Sequence, residues 1–195
     1  VEMGFVQAIL VGDRARIEKV CAEKGFEIGK FTIVDEPVEL KAVSTAVAMV
    51  HDKAGDVLMK GLCSTDKFLR GILNKETGLL PPKGLLSHVG IVDNPNYHKL
   101  MFISDMAVVP APEFRQKVAI TKFLINTAHS FGIAMPKVPF VAASGWMLGR
   151  LHAGGGGAML SVMASRGQLG ACIGDGPLAL DVAIDKESAD IKGLK

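Results

Sequence analysis

At 195 residues, 49% of them hydrophobic, and with a formal charge of +2, the chain can build one sizeable core or two small lobes sharing a cleft. The near balance of charge, with no Lys/Arg stripe, argues against a nucleic-acid footprint or a polybasic membrane patch, so an anionic ligand must be gripped locally. No apolar run reaches membrane-spanning length, and the scattered cysteines (Cys21, Cys63, Cys172) offer neither a disulfide framework nor a metal-binding pair, as expected of reduced thiols in a cytoplasmic protein.

In chain order, Phe5 to Val11 reads as a buried strand closed by Gly12-Asp13. Asp13 is placed to cap a helix that carries Ile17, Val20 and Cys21 on one face and ends at Gly25. Phe31 to Val34 is a second short strand, and Pro37 opens a helix whose apolar side holds Leu40, Val43, Val47 and Val50. Val57-Leu58-Met59 predicts a buried central strand that breaks at Lys60-Gly61-Leu62. Ser64 and Thr65 then offer hydroxyls to cap a helix through Phe68, Leu69, Ile72 and Leu73. Strand and helix alternating at short spacing predict an α/β fold of βαβ units with a mainly parallel sheet.

After Gly78 come a strand from Leu85 to Val92, holding Ser87 and His88, and another from Leu100 to Ile103, ending at Ser104-Asp105. The short polar link between them predicts a hairpin at the sheet's edge. The prolines of Val108-Val109-Pro110-Ala111-Pro112 mark the expected boundary between a first lobe, 1–108, and a second, 109–195. A helix from Glu113 to about Phe131 stops at Gly132, and Val138 to Ala143 is a strand. Residues 144–157 fit no element, because the glycines at 154–157 would cost a helix heavily; the run from His152 reads as a flexible tether. Ala158 to Ser165 is helical, Ala171 to Ile173 is a strand, and Asp175-Gly176-Pro177 turns into a last helix through Ile184.

Three groups of residues carry chemistry. Lys60, Ser64 and Thr65 form the first, where an ammonium and the unpaired N–H groups of a helix's first turn point at one spot, as an anion site requires. The plain alternative is a surface lysine beside an ordinary cap, and the residue order of a P-loop is absent. Ser87, His88 and Asp105 form the second. Adjacent strand residues face opposite sides and no G-x-S-x-G elbow exists, which argues against a Ser-His-Asp triad. Asp105, at a strand's end, is the better candidate, and its alternative role is a cap. Arg166 and Asp175 form the third: a guanidinium at a turn can clamp phosphate, and Asp175 ends a strand where open α/β sheets place ligands. The alternative for Arg166 is a solvated helix end favoured by the helix dipole.

Four phrases add a likeness: D-V-L-M-K-G-L-C-S-T with F-L-R-G-I-L-N-K-E-T-G-L between 56 and 80, L-S-H-V-G-I at 86–91, L-M-F-I-S-D-M-A at 100–107, and M-A-S-R-G-Q-L with D-G-P-L-A-L-D-V-A-I between 163 and 184. With A-I-L-V-G-D at 8–13, the chain resembles the phosphate acetyl/butyryl transferase family from Ala8 to Gly193, closest to its phosphate butyryltransferase branch.

The resemblance implies reversible acyl transfer between CoA and inorganic phosphate, giving an acyl phosphate. It implies a two-lobed α/β/α fold like that of the isocitrate/isopropylmalate dehydrogenases, with the site in the cleft. It further implies a cytoplasmic homodimer without metal or covalent cofactor, coenzyme A being a substrate. By the same likeness Lys60, Ser64 and Thr65 contact phosphate or the CoA diphosphate, and Ser87 and His88 line the cleft. Arg166 binds anion from the second lobe, while Asp105 and Asp175 face the cleft as the catalytic carboxylates.

The chain departs from the family pattern at Val109, where the family has Asn after Asp-x-Ala, and over 144–157, which replaces an Asn-Pro-Lys-Met-Pro-like phrase at equal length. The family's C-terminal portion, with a Ser-Arg-Ala-Asp-Ser-like phrase, would follow Lys195 and complete the first lobe. A strand would precede Val1. These departures define the rival reading, a relative that binds CoA or phosphate, or only dimerises, without turnover. An NAD-dependent oxidoreductase of the related fold would need a G-x-G-x-x-G phrase after the first strand, and none is there.

Overall fold

The computed structural model describes residues 1–143 and 152–193, with backbone alone at 152–154. Packing divides the chain into two units, Val1–Gly84 and Leu85–Lys195. The proline-rich stretch 108–112 lies inside the second of them.

The first unit opens with β1 (Ile9–Gly12), α1 (Arg14–Lys24) and β2 (Thr32–Asp35), a βαβ turn that leaves the strands parallel, Ile9 opposite Thr32 and Gly12 opposite Asp35. β1 begins later than expected and Phe5 is exposed, because the β2 partner first reaches the chain at Ile9. Asp13 caps α1 by accepting the Arg16 N–H at 3.0 Å, and Gly25, at φ 73°, supplies the left-handed stop. α2 (Glu39–His51) buries Val43 and Val47, as its periodicity predicts, though Leu40 is exposed.

Val57-Leu58-Met59 forms no strand. An apolar triplet becomes a strand only with a neighbour to hydrogen-bond, and among the described residues no ladder reaches it. Val57 and Met59 are largely exposed. The helix after it does form: α3 (Thr65–Ile72) is capped by Ser64, and a Cβ on Gly71 would lie 2.7 Å from Val43 Cγ1, which shows how closely α3 lies on α2.

In the second unit β3 (Gly90–Val92) and β4 (Met101–Ile103) make the predicted antiparallel hairpin, with Ile91 opposite Phe102, as a separate two-stranded sheet rather than the edge of a larger one. Ser87 and His88 precede the ladder instead of lying within it. α4 (Phe114–Ser130) starts where the Gln116 side chain accepts the Glu113 N–H at 2.8 Å and ends before Gly132 at φ 81°. β5 (Lys137–Val141), α5 (His152–Ser165) and β6 (Ile173–Leu178) form a second parallel βαβ turn. Ile125, Val138, Phe140, Leu160, Ala164, Leu169 and Cys172 make its core.

Two expectations are corrected here. The glycine run is helix rather than tether, since α5 passes through it. A Cβ on Gly157 would sit 3.3 Å from Pro177 Cα, so the absent side chains let the helix lie almost directly on β6, and burial outweighs poor propensity. Residues 144–151, the remainder of the unassigned segment, lie outside the described residues. Asp175-Gly176-Pro177, expected as a turn, lies inside β6, which runs past the predicted end at Ile173 with an irregular register between Pro139 and Val141. α6 (Leu180–Ile184) matches the last predicted helix, and α7 (Lys186–Ile191) follows it, capped by Asp185. The whole is an α/β fold with parallel strand pairs.

Candidate functional site

A cavity of about 450 Å³ opens in the first unit beyond the C-terminal ends of β1 and β2, the edge where open α/β sheets bind ligands. Three helices begin at its wall: α1 contributes its cap Asp13 and Arg16, α2 contributes Glu39, and α3 contributes its cap Ser64. Lys60 and Cys63 line it as well, over a floor of Val43, Ala46 and Phe68. Helix starts carry partial positive charge and unpaired N–H groups, so this convergence with Lys60 and Arg16 suits an anion.

The cavity's own carboxylates already serve those helix starts. Asp13 accepts the Arg16 N–H, Glu36 accepts the Val38 N–H at 3.3 Å, and Glu39 Oε1 accepts the Ser64 N–H at 2.7 Å. Glu39 Oε2 takes the Lys67 ammonium, which, with the Ser64 N–H, holds its carboxyl below the ordinary range. Of the first predicted group, then, Lys60 and Ser64 reach the cavity, while Thr65, the first residue of α3, lies off its lining. Sequence reasoning missed Arg16 and Glu39. Each sits in the first turn of a helix that follows a predicted strand, and that placement was the available signal.

In the second unit Ser87, His88 and Asp105 do come together, but not as a catalytic triad. Asp105 Oδ2 accepts the His88 N–H at 3.0 Å, and its Oδ1 accepts the N–H groups of Ala107 and Val108 at 2.8 and 2.9 Å. Ser104 Oγ donates to the His88 carbonyl at 2.6 Å and lies 3.3 Å from Ser87 Oγ. Desolvation alone would raise the Asp105 pKa, yet the three backbone donors and the Ser87 hydroxyl outweigh it and push it far below the ordinary range. A carboxylate so satisfied is a weak base, and the geometry matches the cap alternative. The His88 Nδ1 is buried without a hydrogen-bond partner among the described residues.

Asp175 projects from mid-β6, opposite Pro139, and is exposed; its Oδ1 accepts the Gly176 N–H at 2.8 Å. Arg166 follows the last turn of α5, its N–H donating to Val162 O at 3.2 Å, and is exposed. α5 returns the chain to the start of β6, so Arg166 stands at the N-terminal edge of the strands, away from the edge where such sheets hold ligands. That fits the solvated helix-end alternative. Among the described residues no cluster of His, Cys, Asp and Glu could hold a metal, and no helix is long and apolar enough to cross a membrane.

The profile described as phosphate acetyl/butaryl transferase matches residues 22–195. The chain belongs to the phosphate acetyl/butyryl transferase family. Within that family, phosphate butyryltransferase of Clostridium acetobutylicum is 39% identical over 191 residues, covering 98% of this chain and 63% of that protein. A phosphate acetyltransferase of Rhizobium meliloti is 35% identical over 193 residues, covering 99% and 61%. The chain thus spans somewhat less than two thirds of these relatives' length. The crystal structure of a branched-chain phosphotransacylase from Enterococcus faecalis shares the fold, with a TM-score of 0.77 at 20% identity over 96% of this chain and 74% of that one.

Proposed function

We propose that this protein catalyses reversible acyl transfer between coenzyme A and inorganic phosphate, giving an acyl phosphate; its relatives are named phosphate butyryltransferase and phosphate acetyltransferase. Beside family membership, one observation supports this reading: three helix starts converge with Lys60 and Arg16 on one cavity. A phosphate oxygen attacks the thioester carbonyl carbon, the C–S bond breaks, and the CoA thiolate leaves. In reverse the thiolate attacks the acyl phosphate and phosphate leaves. Both reactants are anions, so cationic and N–H donors must offset their repulsion, and positioning supplies much of the rate.

In this reading Lys60 and the first turn of α3, from Ser64 to Thr65, bind phosphate or the CoA diphosphate. Asp175 takes the thiol proton, and Asp105 holds Ser87 and His88 in place. A division into lobes at 108/109, the isocitrate/isopropylmalate dehydrogenase-like architecture, a cytoplasmic homodimer and the absence of a covalent cofactor belong to the same proposal.

The test is release of free thiol from butyryl-CoA with and without inorganic phosphate, with acyl phosphate trapped by hydroxylamine. Phosphate-dependent release with trapped product is the expected result. Thiol release indifferent to phosphate indicates hydrolysis and refutes the proposal. The saturation of Asp105 favours a second reading, a relative that binds without turnover. Calorimetric binding of butyryl-CoA with no release would select it.

A further inference from the structure

We infer that Glu39 is a positioning residue for Lys60 and Ser64: reaching from α2, it fixes the turn that carries them. The inference rests on the transferase reading. Residues 57–63 have no ladder, and Leu62 is 99% exposed, so neither pairing nor packing holds the segment firmly. Its own hydrogen bonds are local, Cys63 N–H to Gly61 O and the Lys60 ammonium to Gly61 O. Among the described residues, the hydrogen bond that ties 57–64 to a distant element is the one from the Ser64 N–H to Glu39 Oε1, across 25 positions of sequence.

Glu39 stands on a firm base. α2 is anchored by Val43 and Val47, and α3 lies against it at Gly71 with no room for a Cβ. The ion pair to Lys67, with side chains 39% and 42% exposed, contributes little to stability by itself, as exposed pairs do. Its effect is to orient the carboxylate, so that the other oxygen meets the Ser64 N–H. A group that locates a reacting anion matters through small displacements: misplacement by about 1 Å can cost ~100-fold in rate.

The test compares Glu39→Ala, Glu39→Gln and, as a control on the helix that Ser64 caps, Arg70→Ala, which removes only the exposed pair with Asp66. Two readouts are taken, amide hydrogen exchange at Ser64 and steady-state kinetics with inorganic phosphate. In Glu39→Ala, Ser64 exchange accelerates and the phosphate KM rises about tenfold or more while kcat changes much less, which a general loss of folded protein would not produce. Glu39→Gln keeps an oxygen for the Ser64 N–H and recovers most of both, and Arg70→Ala changes neither.

Unaltered Ser64 exchange in Glu39→Ala overturns the inference whether or not the wild type turns over. A phosphate KM that falls in either Glu39 variant also overturns it, because the carboxylate would then be a rival anion in the cavity. A wild type that releases no thiol with phosphate defeats the transferase reading instead, and calorimetry with inorganic phosphate then replaces the kinetic arm: weaker binding by Glu39→Ala supports the positioning role, and equal binding overturns it.

Discussion

The backbone N–H of His88 donates to Oδ2 of Asp105 at 3.0 Å, joining the entry to β3 with the exit from β4 through a carboxylate that also takes the N–H groups of Ala107 and Val108. Because these donors prefer the ionised form, the folded pKa lies below the unfolded one. Their contribution is therefore complete above the ordinary carboxylate range, near pH ~4, and is lost as pH falls further. Asp105→Asn removes the charge and is expected to cost about 1–3 kcal/mol at neutral pH. Urea midpoints of wild type and variant should draw together progressively as pH falls from about 4 toward 2. A gap that stays constant over that range would show that the charge is not what matters.

Lys60 lines the cavity on the turn that leads into α3. Lys60→Ala is expected to raise the phosphate KM about 10- to 150-fold, the equivalent of the ~1.5–3 kcal/mol that a hydrogen bond to a charged group contributes. Kinetics matching the wild type would remove Lys60 from the site.

Cys63 lines the cavity, whereas Cys21 and Cys172 are buried, and desolvation pushes the Cys172 thiol up. Iodoacetamide should therefore modify Cys63 first, and CoA with phosphate should slow that reaction. Mass mapping of the alkylated peptides checks both. Labelling of Cys63 that ligands do not slow would separate the cavity from ligand binding.

The glycines of the second unit should respond in opposite directions. Among the described residues nothing lies within 4 Å of a Cβ on Gly155, so Gly155→Ala gains helix propensity and stabilises by about 0.5–1 kcal/mol. A Cβ on Gly174 would lie 2.6 Å from Ala164 Cβ and 3.0 Å from Phe140 Cε2, so Gly174→Ala overpacks and costs about 1–3 kcal/mol. Unfolding in urea measures each, and equal effects would show that close approach does not govern this core.

What could be read in advance was local. Asp13 and Gly25 around α1, Ser64 before α3 and Gly132 after α4 announce their helices through side chains and backbone freedom that act within a few residues. Val57-Leu58-Met59 misled because a strand depends on a partner that its own letters do not encode. The glycine run misled for the opposite reason: intrinsic propensity spoke against a helix, and tertiary burial against Pro177 and Phe140 decided for one. At the cavity, Lys60 and Ser64 stood out by type and spacing. Glu39 did not, because its importance comes from a contact made 25 positions away.

The tight seam between α5 and β6 also limits how this family member can drift. A side chain at 174 would collide with the Ala164 methyl, so a lineage that enlarges Gly174 must reduce Ala164 to glycine in step, whereas nothing at 174 can shrink to admit a larger residue at 164. Natural variants of this seam should therefore record paired, compensating exchanges, with single changes selected against.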